Sequence, residues 1–190
     1  MKKYNFVILT VLCLFTKALL AEFTVSAETE RTVFMYLDYK TIKSYYSNLG
    51  VYEKYFPNLD SVKAKDSLES IWSYRLDYPL SPVLMVNFDM VKQTDNDSTL
   101  VFEAKPGGRD YLYWRAIFSP YSLTQTNVKI YIKARITRDK GSDIHMLAGL
   151  FGEEVVCSKM KKELSNELTT FLDSSSHDLY NRARNISNTK

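Results

Sequence analysis

The chain has 190 residues, 45% hydrophobic and 25% charged, the composition of one globular domain with a sizeable core. Its formal charge of +3 rests on Lys2, Lys3 and Lys17; without them 22 basic side chains face 22 acidic ones. No basic block is left to neutralise phosphates, which argues against nucleic acid as a partner.

Met1 to Ala21 reads as a secretory signal peptide. Lys2-Lys3 form its positive start, Tyr4 to Phe15 its apolar stretch, and Ala18-Leu19-Leu20-Ala21 a small-residue cleavage site. The expectation is export, periplasmic or secreted, with cleavage near Ala21. Only Cys157 then remains of the cysteines, so no internal disulfide is expected.

Glu22 to Val33 alternates Phe23, Val25 and Ala27 against Thr24, Ser26 and Glu28, a strand pattern. Tyr39 to Leu49 carries Ile42, Tyr45, Tyr46 and Leu49 at helical spacing behind Asp38 as a cap, and Val51 to Phe56 predicts a second short helix before Pro57. From Leu59 the period changes to two. Five strands follow, whose inward sets are Leu68-Ser70-Trp72-Tyr74-Leu76-Tyr78, Leu84-Val86-Phe88-Met90, Leu100-Phe102-Ala104, Leu112-Trp114-Ala116-Phe118 and Val128-Ile130-Ile132-Ala134-Ile136. Turn signals at Asp95-Asn96-Asp97 and Pro106-Gly107-Gly108 separate them, giving an antiparallel meander with one wet face.

The last element is a long amphipathic helix from Ile144 to Leu172, capped by Ser142 or Asp143. Its stripe is Met146, Leu150, Cys157, Met160, Leu164, Leu168 and Phe171. One helix cannot bury its own stripe, so the strands must receive it. Gly149 and Gly152 weaken the start of this helix and suggest a gate around Met146 to Gly152. Residues 174–190 are polar and read as a loosely held tail containing the sequon Asn185-Ile186-Ser187.

Several stretches carry a resemblance: Phe23 to Ala27 leading to Val33-Phe34 and Leu37-Asp38-Tyr39, then Tyr55-Phe56-Pro57-Asn58-Leu59, Trp114-Arg115-Ala116, and the closing helix. Together they resemble the START-like superfamily, also called the helix-grip or polyketide-cyclase-like fold, over residues 22–173. The resemblance implies an α+β domain in which a curved antiparallel sheet of six to seven strands grips the C-terminal helix, with two short helices after the first strand. It further implies a cavity between sheet and helix for a hydrophobic small molecule or lipid.

The chemistry in the sequence is sparse. No inward strand position carries Asp, Glu, Lys, Arg or His, which argues against acid–base catalysis within the sheet. His145 and His177 belong to no ligand-spaced cluster, so neither a metal nor a cofactor is expected. The expected cavity lining is Trp72, Tyr74, Phe88, Phe102, Trp114, Phe118, Leu150, Glu153 and Met160, although for each ring a packed core is an equal reading. Glu153 falls within the helix stripe; it either faces the cavity, or sits at its mouth in water or pairs with a basic side chain, and the cost of an unpaired buried carboxylate favours the latter readings. The reading is an exported binder or carrier, with no catalytic residue assigned and only transient contact with membrane. Two alternatives stay open. One is a cyclase- or hydratase-like enzyme tested first at Tyr74, Arg115 and Glu153, with Arg115 expected to point outward. The other is an interaction protein with a filled core, acting through a sheet edge or its tyrosine-rich surface.

Overall fold

The computed structural model describes residues 22–77, 83–96, 98–145 and 148–188. The leader, Tyr78 and Met146 lie outside them. Seven strands form one open antiparallel sheet in the order β1-β7-β6-β5-β4-β3-β2: β1 Phe23–Met35, β2 Leu59–Ala64, β3 Glu69–Leu76, β4 Leu84–Asn96, β5 Thr99–Ala104, β6 Tyr111–Ser122 and β7 Gln125–Arg138. Two short helices, α1 (Tyr39–Tyr46) and α2 (Leu49–Tyr55), follow β1, and α3 (Ala148–Asn188) closes the chain.

The strands form where period-two alternation gives them one apolar face. Inward residues are buried throughout the meander: Trp72, Val86, Met90, Leu100, Trp114, Phe118, Val128 and Ile130 are almost or wholly inaccessible. Register sets these faces against one another, with Trp72 opposite Phe88, Phe102 opposite Trp114, and Trp114 opposite Ile132. Leu68 departs from the expected inward set; it stands just before β3 and is 55% exposed. The seventh strand is β2, whose sequence Leu-Asp-Ser-Val-Lys-Ala is that of a polar edge and alternates only weakly. The first strand pairs along its whole length with the last, Phe23 opposite Arg138 and Met35 opposite Thr126.

Both short helices are capped by side chains. Asp38 accepts from the Thr41 backbone N–H (3.0 Å) and hydroxyl (2.7 Å), bonds that hold its carboxyl below the usual range, and Asn48 accepts from Gly50 N–H (3.0 Å). The helices place Tyr45, Tyr46 and Tyr52 against the core.

The closing helix corrects three expectations. It begins at Ala148, not Ile144, because Gly141–Asp143 form a 3-10 turn that leads into buried Ile144 and His145. Gly141 is required there: a Cβ at that position would come within 2.9 Å of the Phe23 ring. Secondly, α3 is interrupted at Gly152, whose φ of 75° and ψ of 174° are open to glycine but costly for other residues. Thirdly, it does not stop at Asp173. The helix continues to Asn188, and residues beyond 173 dock: Ser175 and Leu179 are buried, the Tyr46 and Ser175 hydroxyls are hydrogen-bonded at 3.0 Å, Tyr45 donates to Asp178 (2.8 Å), and Tyr36 N–H donates to the Tyr180 hydroxyl (2.8 Å). Those partners all come from β1's end and α1, which is why a segment polar in sequence is held in place.

Candidate functional site

The space between sheet and α3 divides into two parts. Beneath α3 from Leu168 onward it is filled by rings. Tyr52 is the hub: it stacks on Phe171 (5.5 Å, 13°), meets Trp72 at 5.0 Å and meets Trp114 edge-on at 5.1 Å. Its hydroxyl donates to the Tyr46 carbonyl (2.7 Å). Phe102 lies 5.4 Å from Trp72, and Phe118 stacks on Tyr46 at 6.2 Å. Trp72 Nε1 donates to Ser70 (2.9 Å), whereas Trp114 Nε1 has no partner among the described residues.

Beneath α3 from Val156 to Glu167 the space is hollow. One cavity, of about 40 Å³, is lined by Tyr74 and Leu76 of β3, Val86 and Phe88 of β4, Leu112 of β6, Ala134 and Ile136 of β7, and Met160, Glu163, Leu164 and Glu167 of α3. A second, of about 20 Å³, adjoins it through shared Leu76, Ile136 and Met160, and is bounded at its far side by Ile144, His145, Val156 and Lys159. The Lys159 Nζ lies 3.2 Å from His145 Nε2.

Of the nine residues expected to line a cavity, Tyr74, Phe88 and Met160 do so. Trp72, Phe102, Trp114 and Phe118 are instead packed into the ring cluster, because α2 brings Tyr52 and Phe56 down onto that part of the sheet. The Leu150 side chain lies outside the described residues. Glu153 is exposed, directly after the Gly152 break, so it neither faces the hollow nor acts from within it. Arg115 projects from the outer face of β6, its guanidinium 5.6 Å from the Tyr131 ring.

Two carboxyls border the hollow, Glu163 and Glu167, and Glu167 is the one with a hydrogen bond that fixes it. It is half-buried and accepts a 2.6 Å hydrogen bond from the Asn58 side-chain amide. Removal from water pushes its pKa up to about 7; the Asn58 bond pulls the other way and the nearby Glu163 charge adds to the rise. Asn58 is placed for this by the turn between α2 and β2, where its φ of 61° is a conformation asparagine tolerates better than most residues, and its carbonyl accepts from Arg75 N–H at 2.8 Å. Across the hollow, Tyr74 is only 7% exposed and burial raises its hydroxyl well above the ordinary range. The signal for Glu167 was present in the spacing: it lies seven residues after Met160 and three after Leu164, on the stripe itself, but its charge conceals it from an apolar count.

Among the described residues no three His, Cys, Asp or Glu side chains gather in a metal-binding group, and no helix is long and apolar enough to cross a membrane.

No protein-family model matches the chain, and no curated protein matches it in sequence. Solved structures do. The aromatase/cyclase Zhui from Streptomyces sp. R1128 superposes with a TM-score of 0.61 at 10% identity, covering 83% of this chain and 96% of its own. A START superfamily protein from Mycobacterium smegmatis gives 0.55 at 12% identity, over 80% and 98%. Norcoclaurine synthase from Thalictrum flavum, in complex with dopamine and hydroxybenzaldehyde, gives 0.52 at 13% identity, over 84% and 89%. Likeness at such low identity establishes the fold: a START-like helix grip.

Proposed function

We propose that this protein binds or carries a hydrophobic small molecule or lipid between the sheet and the Val156–Glu167 stretch of α3, outside the cytoplasm after loss of its leader. The observation that carries the reading is the hollow itself. Apolar side chains from four strands and the helix line it, and Tyr74, Glu163 and Glu167 supply its polar groups. An apolar pocket with a few convergent polar groups is the usual form of a small-molecule site. Its present size holds a water or two, whereas ligand pockets run to several hundred Å³, on the order of 300 or more. Uptake therefore requires Met160, whose unbranched side chain repacks readily, to turn aside and the helix to shift at Gly152. The solved norcoclaurine synthase complex, with two small aromatic ligands on the same fold, is a precedent for such occupancy.

A specific observation favours one other reading. A carboxyl with a pKa of about 7 beside a phenolic hydroxyl suits general acid–base catalysis, so a cyclase- or hydratase-like activity would run through Glu167 and Tyr74 rather than Glu153 or Arg115.

Native mass spectrometry of the protein from its own compartment, against its denatured mass, tests the binding reading. Extra mass released on denaturation, on a chain beginning at Glu22, is expected. A bare mass that stays bare after incubation with a total lipid extract would overturn binding, and a chain retaining Met1 would overturn export.

A further inference from the structure

We propose that the ligand's polar end is a cation: the hollow takes an amphiphile bearing an ammonium group, seated against Glu167 with the Tyr74 hydroxyl as its second contact. This rests on reading the hollow as a ligand site. The argument is an inventory of donors and acceptors. Glu167 accepts from Asn58 through Oε1, and its Oε2 has no hydrogen-bond partner among the described residues. The Tyr74 hydroxyl, on a ring more than nine-tenths buried, likewise makes no hydrogen bond to a described residue. Glu163 borders the same space, and no described lysine or arginine does. A carboxylate or phosphate head would place a third negative group against two carboxyls with no counter-charge. An alcohol can donate only one hydrogen. An ammonium has three to give and a charge that matches.

The adjoining smaller hollow has the opposite character, being bounded by Lys159 and His145. That cation lies on an exposed side chain and its ammonium is 3.2 Å from His145, while the space beside it is half as large. The acidic end therefore offers the larger space and the unused acceptors.

Binding should also be linked to pH. The groups facing Glu167 are Tyr74 from β3, Asn58 from the α2–β2 turn and Glu163 from its own helix; none is cationic. Burial holds the Glu167 carboxyl at about 7, and an ammonium would draw it down, so a proton is released on binding and amine affinity rises through neutrality.

The test is calorimetric titration of the mature chain with octylamine, octanol and octanoate, probes of one chain length and three head groups. At pH 8 octylamine is expected to bind about tenfold or more tighter than either of the others. Its advantage over octanol should shrink about tenfold by pH 6, the ratio a carboxyl titrating near neutrality gives. Glu167→Gln should bring the amine-to-alcohol ratio close to unity, and the pH series on the unmutated chain decides the matter if that variant does not fold. Equal binding of all three probes, or preference for octanoate, overturns the cation assignment and leaves the binding reading standing. No binding of any probe, together with a bare native mass, overturns both.

Discussion

From Leu168 onward, α3 presents Phe171, Leu172 and Ser175 to a layer of tyrosines and tryptophans whose rings meet stacked, tilted and edge-on. From Val156 to Glu167 the same helix presents Met160, Glu163, Leu164 and Glu167 to Leu76, Val86, Ala134 and Ile136. The strands supply both regions with the same alternation and comparable burial. What differs is the third layer: α1, α2 and the residue after it lay Tyr46, Tyr52 and Phe56 over one region, and of these only Phe56 touches the edge of the other, meeting the Tyr74 ring edge-on at 5.8 Å. A helix gripped by a sheet is thus sealed where a second element lays several rings beneath it, and left hollow where that element reaches only the edge.

The sharpest way to break this contrast is Phe171→Ala. If the ring cluster is close-packed, its loss should cost about 3–5 kcal/mol by urea unfolding; a cost nearer 1 kcal/mol would mean that this region is also loosely filled. The same substitution in each region sharpens the comparison further. Ala116→Val, at a fully buried position outside the hollow, should cost about 1–3 kcal/mol, while Ala134→Val, on the wall of the hollow, should be close to neutral. Equal costs would remove the distinction.

The smallest expected effect is electrostatic. Glu167 is raised to about 7 in the folded chain from an ordinary 4.5, so the native state holds a proton that the unfolded state gives up between those values. Its contribution is fully present below pH 4.5 and is lost as pH rises to 7. Glu167→Gln should therefore leave stability unchanged near pH 4 and raise it at pH 8 by roughly 1–2 kcal/mol, discounted for the carboxyl's residual contact with water. A destabilised variant at pH 8 would show that the Asn58 bond outweighs burial.

The sheet was legible residue by residue because period two leaves one choice of face: Trp72, Phe88, Phe102 and Trp114 point inward as their spacing requires. Their surroundings were not legible, since only α2's packing decides that Trp72 meets Tyr52 while Tyr74 borders a space. Glu167 escaped because an apolar stripe is counted by residue type, although a long acidic side chain can share the stripe and raise its pKa instead of leaving it. Asp173-Ser174-Ser175-Ser176 looked like a helix stop for a related reason. Ser175 is small enough to lie beneath α1 and satisfies its hydroxyl on Tyr46, a long-range partner that no local pattern reveals. At Gly152 a positive φ that glycine adopts freely breaks the helix, a backbone feature that residue type suggests without fixing.

The pairing of β1 with β7 joins positions far apart in the chain, Thr24 and Thr137 being hydrogen-bonded across 113 residues. Val25 and Ile136, partners in that seam, both line the smaller hollow, and Ile136 and Ala134 wall the larger. During synthesis the first strand must wait for the last, and until they meet the wall has no seam. A molecule lodged there would bind only the completed chain, and the logarithm of its concentration relative to its Kd would add to the free energy holding the two ends together.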